Sequence, residues 1–291
     1  MIPIVNFNYT TDPFDIQIKP VIRSLLSWKD EVFKTVETIV ASTKRPIVIA
    51  LSGGIDGEAI ALAMLEKKIP FSALTVRHKE GTNDHDIKYA QEFCQLYNIK
   101  QQIVEISILD FINHGVEKYI DQGYRANNVY RYFQLFLMEL AESQEACVLI
   151  GSGEQVYYNY NQTVCLRYPE ELLTPIKWCQ DNNTLHYPFF HMTNSELVAS
   201  YMQIPCIKKC LENNATNFLE PSPLGNPNNS GPEKIEAYHQ VWPVMTRRPK
   251  YHGYENVHEI RKLKQAELIK RFSKQQVIYI PIKTARSQLG I

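Results

Sequence analysis

The sequence predicts an α/β chain in which a parallel sheet carries helices on both faces, with a short helical segment before it and a mainly helical extension after it. Three observations lead there. Between residues 45 and 150, short β-branched runs alternate with longer runs of helical periodicity; the first such strand passes into its helix through paired glycines; and the alternation stops near residue 160. Parallel neighbours need crossover connections, and right-handed helical crossovers cover both faces of the sheet they join.

Taken in order, Val21, Ile22, Leu25, Leu26, Trp28, Val32, Phe33, Val36, Ile39 and Val40 recur at helical spacing and predict a covering helix that Pro46 stops. Residues 47–51 read as a buried strand, 52–57 as a glycine turn, and Ala59 to Leu65 as a helix. Further strands are expected at 71–77, 103–106 and 146–150, with helices at 86–97 and 130–142. Beyond residue 160, helices are expected at 194–202, 233–241 and 258–272, a long exposed loop at 220–232, and a last strand at 277–282. The expected division is an N-terminal helical segment 1–44, a core domain 45–160 and a C-terminal region 161–291.

With 291 residues, 44% of them hydrophobic, the chain can bury a sizeable core, which excludes a disordered tail protein. Lys and Arg number 31 and Asp and Glu 31, so the balance of charge gives no strong nucleic-acid signal. The apolar stretches are too short or too polar to span a bilayer, and the start lacks the pattern of a secretory signal, so a cytoplasmic protein is expected. The 6 cysteines are scattered and expected to be reduced. Cys206 and Cys210 form the closest pair, but Cys165 and Cys179 are spaced too irregularly for a tetrahedral zinc site.

The chemistry concentrates where Ile47-Val48-Ile49-Ala50-Leu51 meets Ser52-Gly53-Gly54-Ile55-Asp56-Gly57. Glycines there let backbone N–H groups approach an anion, and a helix start adds unpaired donors and positive potential. A phosphate suits that position. Ser52 offers a hydroxyl, and Asp56 a carboxylate for a magnesium ion shared with phosphate oxygens. The pattern is neither the Walker loop nor Gly-x-Gly-x-x-Gly.

The Ser52-Gly53-Gly54-Ile55-Asp56 run resembles the PP-loop of the ATP pyrophosphatases, the group of asparagine synthetase, argininosuccinate synthetase, GMP synthetase and several tRNA-modifying enzymes, and the resemblance extends to about Glu154. It implies a Rossmann-like sheet of the HUP/PP-loop type, with ATP over the carboxyl ends of the strands, attack of a substrate oxygen on the α-phosphate and release of pyrophosphate. Under that resemblance Ala50, Leu51, Ser52, Gly53, Gly54, Ile55, Asp56 and Gly57 surround the nucleotide, and backbone groups of the strand end at Thr75, Val76 and Arg77 read the adenine edge. Residues 45–160 become the nucleotide-binding domain and 161–291 a substrate or lid region.

Gly151-Ser152-Gly153-Glu154 is similar to the acceptor-facing turn of asparagine synthetase; Gly151 adjoins the nucleotide, and Glu154 orients an amine or acts as a base. Arg125 and Arg131 suit a phosphate or a substrate carboxylate, the alternative being a solvated helix surface. Lys250, in the basic and aromatic run 247–255, either closes over ATP or belongs to a solvated turn. Asp84 or Asp86 is expected to cap the helix that follows it. The Lys250-Tyr251-x-Gly253-Tyr254-Glu255 phrase, with Asn83-Asp84-His85-Asp86-Ile87 upstream, is similar to phage-encoded stand-alone PP-loop proteins related to asparagine synthetase, which would work in a host cytoplasm.

One position departs from the resemblance: Gly57 stands where the family usually has Ser or Thr. A lost charge-assisted hydrogen bond is worth about 1.5–3 kcal/mol. Two readings follow. One is an ATP- and magnesium-dependent ligase that adenylates a carboxylate or carbonyl oxygen for amide or C–N bond formation, with Asp56, Glu154, Arg131 and Lys250 as its catalytic groups. The other is a nucleotide-binding protein with weak or lost turnover. A small-molecule substrate and ATP are the expected ligands, nitrogen is expected from free ammonia, an amine or a partner protein, and a homo-oligomer is compatible with the sequence.

Overall fold

A computed structural model describes residues 5–7, 16–152, 157–160, 163–212, 232–245 and 255–291. Two short strands, β1 (Val5–Phe7) and β2 (Ile16–Ile18), pair antiparallel ahead of α1 (Trp28–Ser42). This helix starts later than the apolar spacing from Val21 suggests because Ser27 caps it, its hydroxyl accepting from the Asp30 N–H at 3.2 Å. The preceding residues carry no regular structure, and Val21 N donates to Leu289 O at 2.9 Å.

The core follows as β3 (Ile47–Ala50), α2 (Ile55–Glu66), β4 (Ser72–His78), α3 (Asp84–Leu96) and β5 (Gln101–Ile106). Residues 108–121 are then helical, as α4 (Ile108–Asp110), a π-turn (Phe111–Gly115) and α5 (Val116–Asp121). The polar Asn113-His114-Gly115 hides this run from the sequence pattern. What anchors its start is distant in sequence, since the Glu80 carboxylate accepts from Ser107 Oγ at 2.6 Å and from Ile108 N at 3.1 Å. After α6 (Val129–Glu142) comes β6 (Cys147–Ile150).

The four strands lie in the order β5-β4-β3-β6, all parallel. Strand alternation sends their side chains into two cores. Ile47, Ile49, Cys147 and Leu149 pack on one face with α1, α2 and α3, whereas Val48, Val148 and Ile150 pack on the other with α5 and α6. Tyr187 extends the sheet through a parallel bridge to Leu149.

The C-terminal part comprises β7 (Tyr157–Tyr160), β8 (Thr163–Pro169), α7 (Leu173–Asp181), α8 (Ser195–Gln203), α9 (Pro205–Glu212), α10 (Pro232–Val241), α11 (Glu255–Arg271), β9 (Val277–Pro281) and α12 (Ile282–Leu289). It is mainly helical, but β7, β8 and β9 form an antiparallel sheet of which the sequence reading anticipated only β9. Val164, Cys165 and Leu166 are buried in succession, so β8 shows none of the alternation that marks a strand with one solvated face. The expected 220–232 loop lies outside the described residues apart from Pro232, which opens α10. All six cysteines are free thiols. Among the described residues no helix is long and apolar enough to cross a membrane.

Candidate active site

A cavity of about 360 Å3 opens at the carboxyl ends of β3, β4 and β6, the edge at which open α/β sheets take ligands. Leu74, Val76, Ile108, Ile112, Phe133, Leu137 and Ile150 make its inner wall apolar, while Ser52, Gly54, Asp56, Gly57 and Gly151 make its mouth polar. An apolar slot beside an amide-rich mouth suits a heteroaromatic base joined to a phosphate chain. A larger cavity, of about 600 Å3, lies beside Arg45 and His186 at the amino end of β3, away from the glycine turn.

Three glycines give the mouth its shape. Gly53 has φ +84°, and a Cβ there would lie 2.0 Å from Asp86 O, so the loop is pressed onto the first turn of α3. A Cβ on Gly151 would lie 2.6 Å from Gly57 N, which brings the end of β6 against the start of α2. At Gly57 itself a Cβ would meet Ala50 O and Leu51 Cδ2, each at 3.1 Å. A side chain at 57 would therefore be close-packed against the β3–α2 turn, with Ala50 O and Leu51 Cδ2 needing to give by a few tenths of an ångström.

Asp56 is held from the far end of the chain. Lys234 Nζ lies 3.0 Å from Asp56 Oδ2, and Tyr238 OH donates to Asp56 Oδ1 at 2.6 Å. Lys234 and Tyr238 are one helical turn apart on α10, so both reach the same carboxylate. Further along, Trp242 Nε1 donates to Glu66 Oε1 at 2.9 Å, so α10 is tied to both ends of α2. Behind it, Trp28 packs edge-on against Tyr238, Tyr201 and Trp242 at ring separations of 4.8, 5.2 and 5.8 Å. His191 Nε2 lies 3.4 Å from Tyr238 OH, and burial pushes this imidazole down to about 4.

The other expected residues are distributed as follows. Ala50, Leu51, Ser52, Gly54, Asp56, Gly57, Val76 and Gly151 line the cavity. Thr75 and Arg77 fall on the opposite face of β4, as strand alternation requires. Thr75 Oγ1 donates to Leu51 O at 2.8 Å, and Arg77 pairs with Asp84 at 2.8 Å. That pairing answers one half of the capping expectation: Asp84 faces Arg77, and Asn83, the residue before α3, makes no side-chain cap. Ile55 opens α2 behind the mouth.

Arg125 is exposed, and its carbonyl accepts from Thr174 Oγ1 and Gln275 Nε2. Arg131 turns away from the cavity, 3.6 Å from Glu171 and bonded to Gln134 Oε1 at 3.0 Å. Burial pulls its guanidinium below the ordinary value, with Glu171 opposing. Gln134 in turn donates to Ser152 Oγ at 2.9 Å, so Arg131 stands one residue removed from the 151–152 turn. Glu154 and Lys250 lie outside the described residues.

Four side chains at or beside this site were missed by sequence reasoning: Lys234, Tyr238, His191 and Arg261, the last of which lines the cavity from α11. The Lys-x-x-x-Tyr spacing on one helix face was available, but nothing in the sequence joins it to Asp56.

Residues 28–153 match the asparagine synthase family. The matched stretch spans α1 through β6 and holds most of the cavity lining. No curated protein matches the chain. Among solved structures, the NMN synthetase of Francisella tularensis is similar at 14% identity, covering 82% of this chain and 94% of that one with a TM-score of 0.37. The NH3-dependent NAD synthetase of Campylobacter jejuni subsp. jejuni is similar at 18% identity, covering 75% and 95% with a TM-score of 0.36. A U34-tRNA thiolase of Methanococcus maripaludis is similar at 14% identity, covering 85% and 79% with a TM-score of 0.36.

Proposed function

We propose that the chain binds ATP in the cavity of its PP-loop domain and adenylates a carboxylate or carbonyl oxygen of a small molecule for amide or C–N bond formation. The observation that carries this reading is Asp56 standing with Ser52, Gly54 and Gly57 at the polar mouth of an apolar slot. In the first step the substrate oxygen bonds to the α-phosphorus, the bond from that phosphorus to the β-bridging oxygen breaks, and pyrophosphate leaves. In the second, a nitrogen nucleophile attacks the activated carbon, AMP departs with the C–O electron pair, and the nitrogen gives up a proton. Such displacements depend on positioning and electrostatics more than on covalent help from the protein.

Magnesium fits this mouth through a single carboxylate. Among the described residues no group of three or more His, Cys, Asp or Glu could hold a metal, but magnesium is commonly held by one or two carboxylates together with substrate phosphates. Asp56 is the residue that would hold it, and the ion would neutralise phosphate charge. Lys234 supplies positive charge at the same carboxylate, and α10 with α11 suits the part of a wall or lid over the nucleotide. Glu154 suits the acceptor side and Lys250 the phosphates, while Arg131, paired with Glu171, suits a positioning role through Gln134 and Ser152.

A second reading, nucleotide binding with little turnover, draws on Asp56 being already engaged by Lys234 and Tyr238 and on the crowding at Gly57. Measuring pyrophosphate and AMP release from ATP and magnesium across candidate carboxylates with ammonia or amines tests the two. Matched release with an acceptor supports adenylation; ATP binding with no release from any acceptor supports the second reading; release of ADP and orthophosphate overturns both.

A further inference from the structure

His191 joins two parts of the site that are remote in sequence. Its backbone N–H donates to Ser152 O at 3.2 Å, which fastens the short helical turn Phe190–Met192 to the residue after Gly151. Its ring reaches Tyr238, with Nε2 lying 3.4 Å from the hydroxyl, and Tyr238 OH donates to Asp56 Oδ1 at 2.6 Å. One chain of contacts thus runs from the end of β6, through His191 and Tyr238, to the carboxylate at the cavity mouth.

Counting protons fixes the direction of that chain. A phenol has one proton to give and lone pairs with which to receive, whereas an ionised carboxylate only receives, so the Tyr238 proton goes to Asp56. A bare imidazole nitrogen facing the phenol oxygen would set lone pair against lone pair. Nε2 therefore carries the hydrogen and donates. His191 is 5% exposed, and among the described residues its Nδ1 has no hydrogen-bond partner. A second proton there would be a buried donor with nothing to receive it, so the imidazole stays neutral, in keeping with the downward push of burial. An apolar ring would fill this place among Trp28, Phe190 and Tyr238 without an orphaned acceptor; what it could not supply is the Nε2–H. A donor at the phenol oxygen commits the hydroxyl to Asp56 and strengthens its donation, leaving Oδ2 as the oxygen that meets Lys234.

We propose that His191 is a positioning residue: as the Nε2–H tautomer it holds the Tyr238 hydroxyl toward Asp56 and so sets which carboxylate oxygen is presented to magnesium. The proposal rests on the nucleotide reading given above. A long-range proton–nitrogen correlation spectrum of the full wild-type chain shows which imidazole nitrogen is protonated; Nε2–H is expected at His191, and an Nδ1–H ring overturns the proposal. Calorimetry with ATP, with and without magnesium, then reads the gain in affinity that the metal brings. His191→Phe should cut that gain about fivefold, and His191→Gln, which keeps an N–H donor, should hold it within about twofold. In a Tyr238→Phe background, His191→Phe should cost nothing further, because its effect passes through the hydroxyl. An undiminished gain in His191→Phe, an equal loss in His191→Gln, or the same loss with and without the Tyr238 hydroxyl each overturns the proposal. The tautomer decides the matter even if a variant does not fold. Wild-type ATP binding that is absent, or indifferent to magnesium, is a different result, which removes the nucleotide reading itself.

Discussion

Lys234 Nζ rests 3.0 Å from Asp56 Oδ2, joining residues 178 positions apart at the mouth of the cavity. Their side chains are 9% and 21% exposed, so removing either partner leaves a largely desolvated charge. A double-mutant cycle with Lys234→Met and Asp56→Asn should give a coupling of about 1–3 kcal/mol in unfolding free energy. Additive losses would mean that the pair contributes nothing in solution.

Asp56 also carries the metal expectation. Asp56→Asn keeps the side-chain volume and removes the charge, so magnesium-dependent ATP affinity should fall about tenfold or more, while binding measured without magnesium changes less. Calorimetry with and without the metal reads both, and equal affinity for wild type and variant in magnesium counts against the assignment.

The glycines should respond in a graded way. At Gly151 an added methyl would fall 2.6 Å from Gly57 N, against backbone that anchors α2, and Gly151→Ala should cost about 2–3 kcal/mol. Gly57→Ser meets its neighbours at 3.1 Å and should cost about 1 kcal/mol, with no gain in turnover. Denaturant unfolding ranks the two; a more active Gly57→Ser would show that the turn yields and the absent hydroxyl was limiting.

His78 gives a pH dependence of known sign. Burial pushes its imidazole from 6.5 down to about 4, against the opposing pull of Glu80 and Asp84, and its Nδ1 lies 2.8 Å from Thr82 Oγ1. Between those two values the unfolded chain binds a proton that the folded chain refuses, so this residue's contribution falls as the pH drops from 6.5 toward 4 and is constant above that window. Urea midpoints at about pH 7 and about pH 5 should differ less in His78→Gln than in wild type. An unchanged difference would place the acid sensitivity elsewhere.

The parallel sheet was legible because β3 and β6 are short apolar runs set between periodic helices, and the loop was legible because glycines at a strand-to-helix turn have a specific use. The antiparallel C-terminal sheet was not, since β8 is buried without alternation. Nor could sequence spacing tell which side of β4 faces the cavity: shifting the viewpoint by one residue exchanges Val76 for Arg77. The Lys234 contact was beyond reach because long-range ion pairs leave no local signature.

Trp28 packs against Tyr238 and Trp242, rings that belong to the opposite end of the chain. On a ribosome, therefore, the first long helix must wait for some two hundred residues before its indole is fully enclosed. Until α10 emerges, that aromatic face meets Tyr201 of α8 but neither Tyr238 nor Trp242, and Asp56 lacks Lys234. A cell making this protein would complete the pocket late, as one of the closing acts of synthesis, and a prematurely stopped product would be recognisable by its exposed tryptophan.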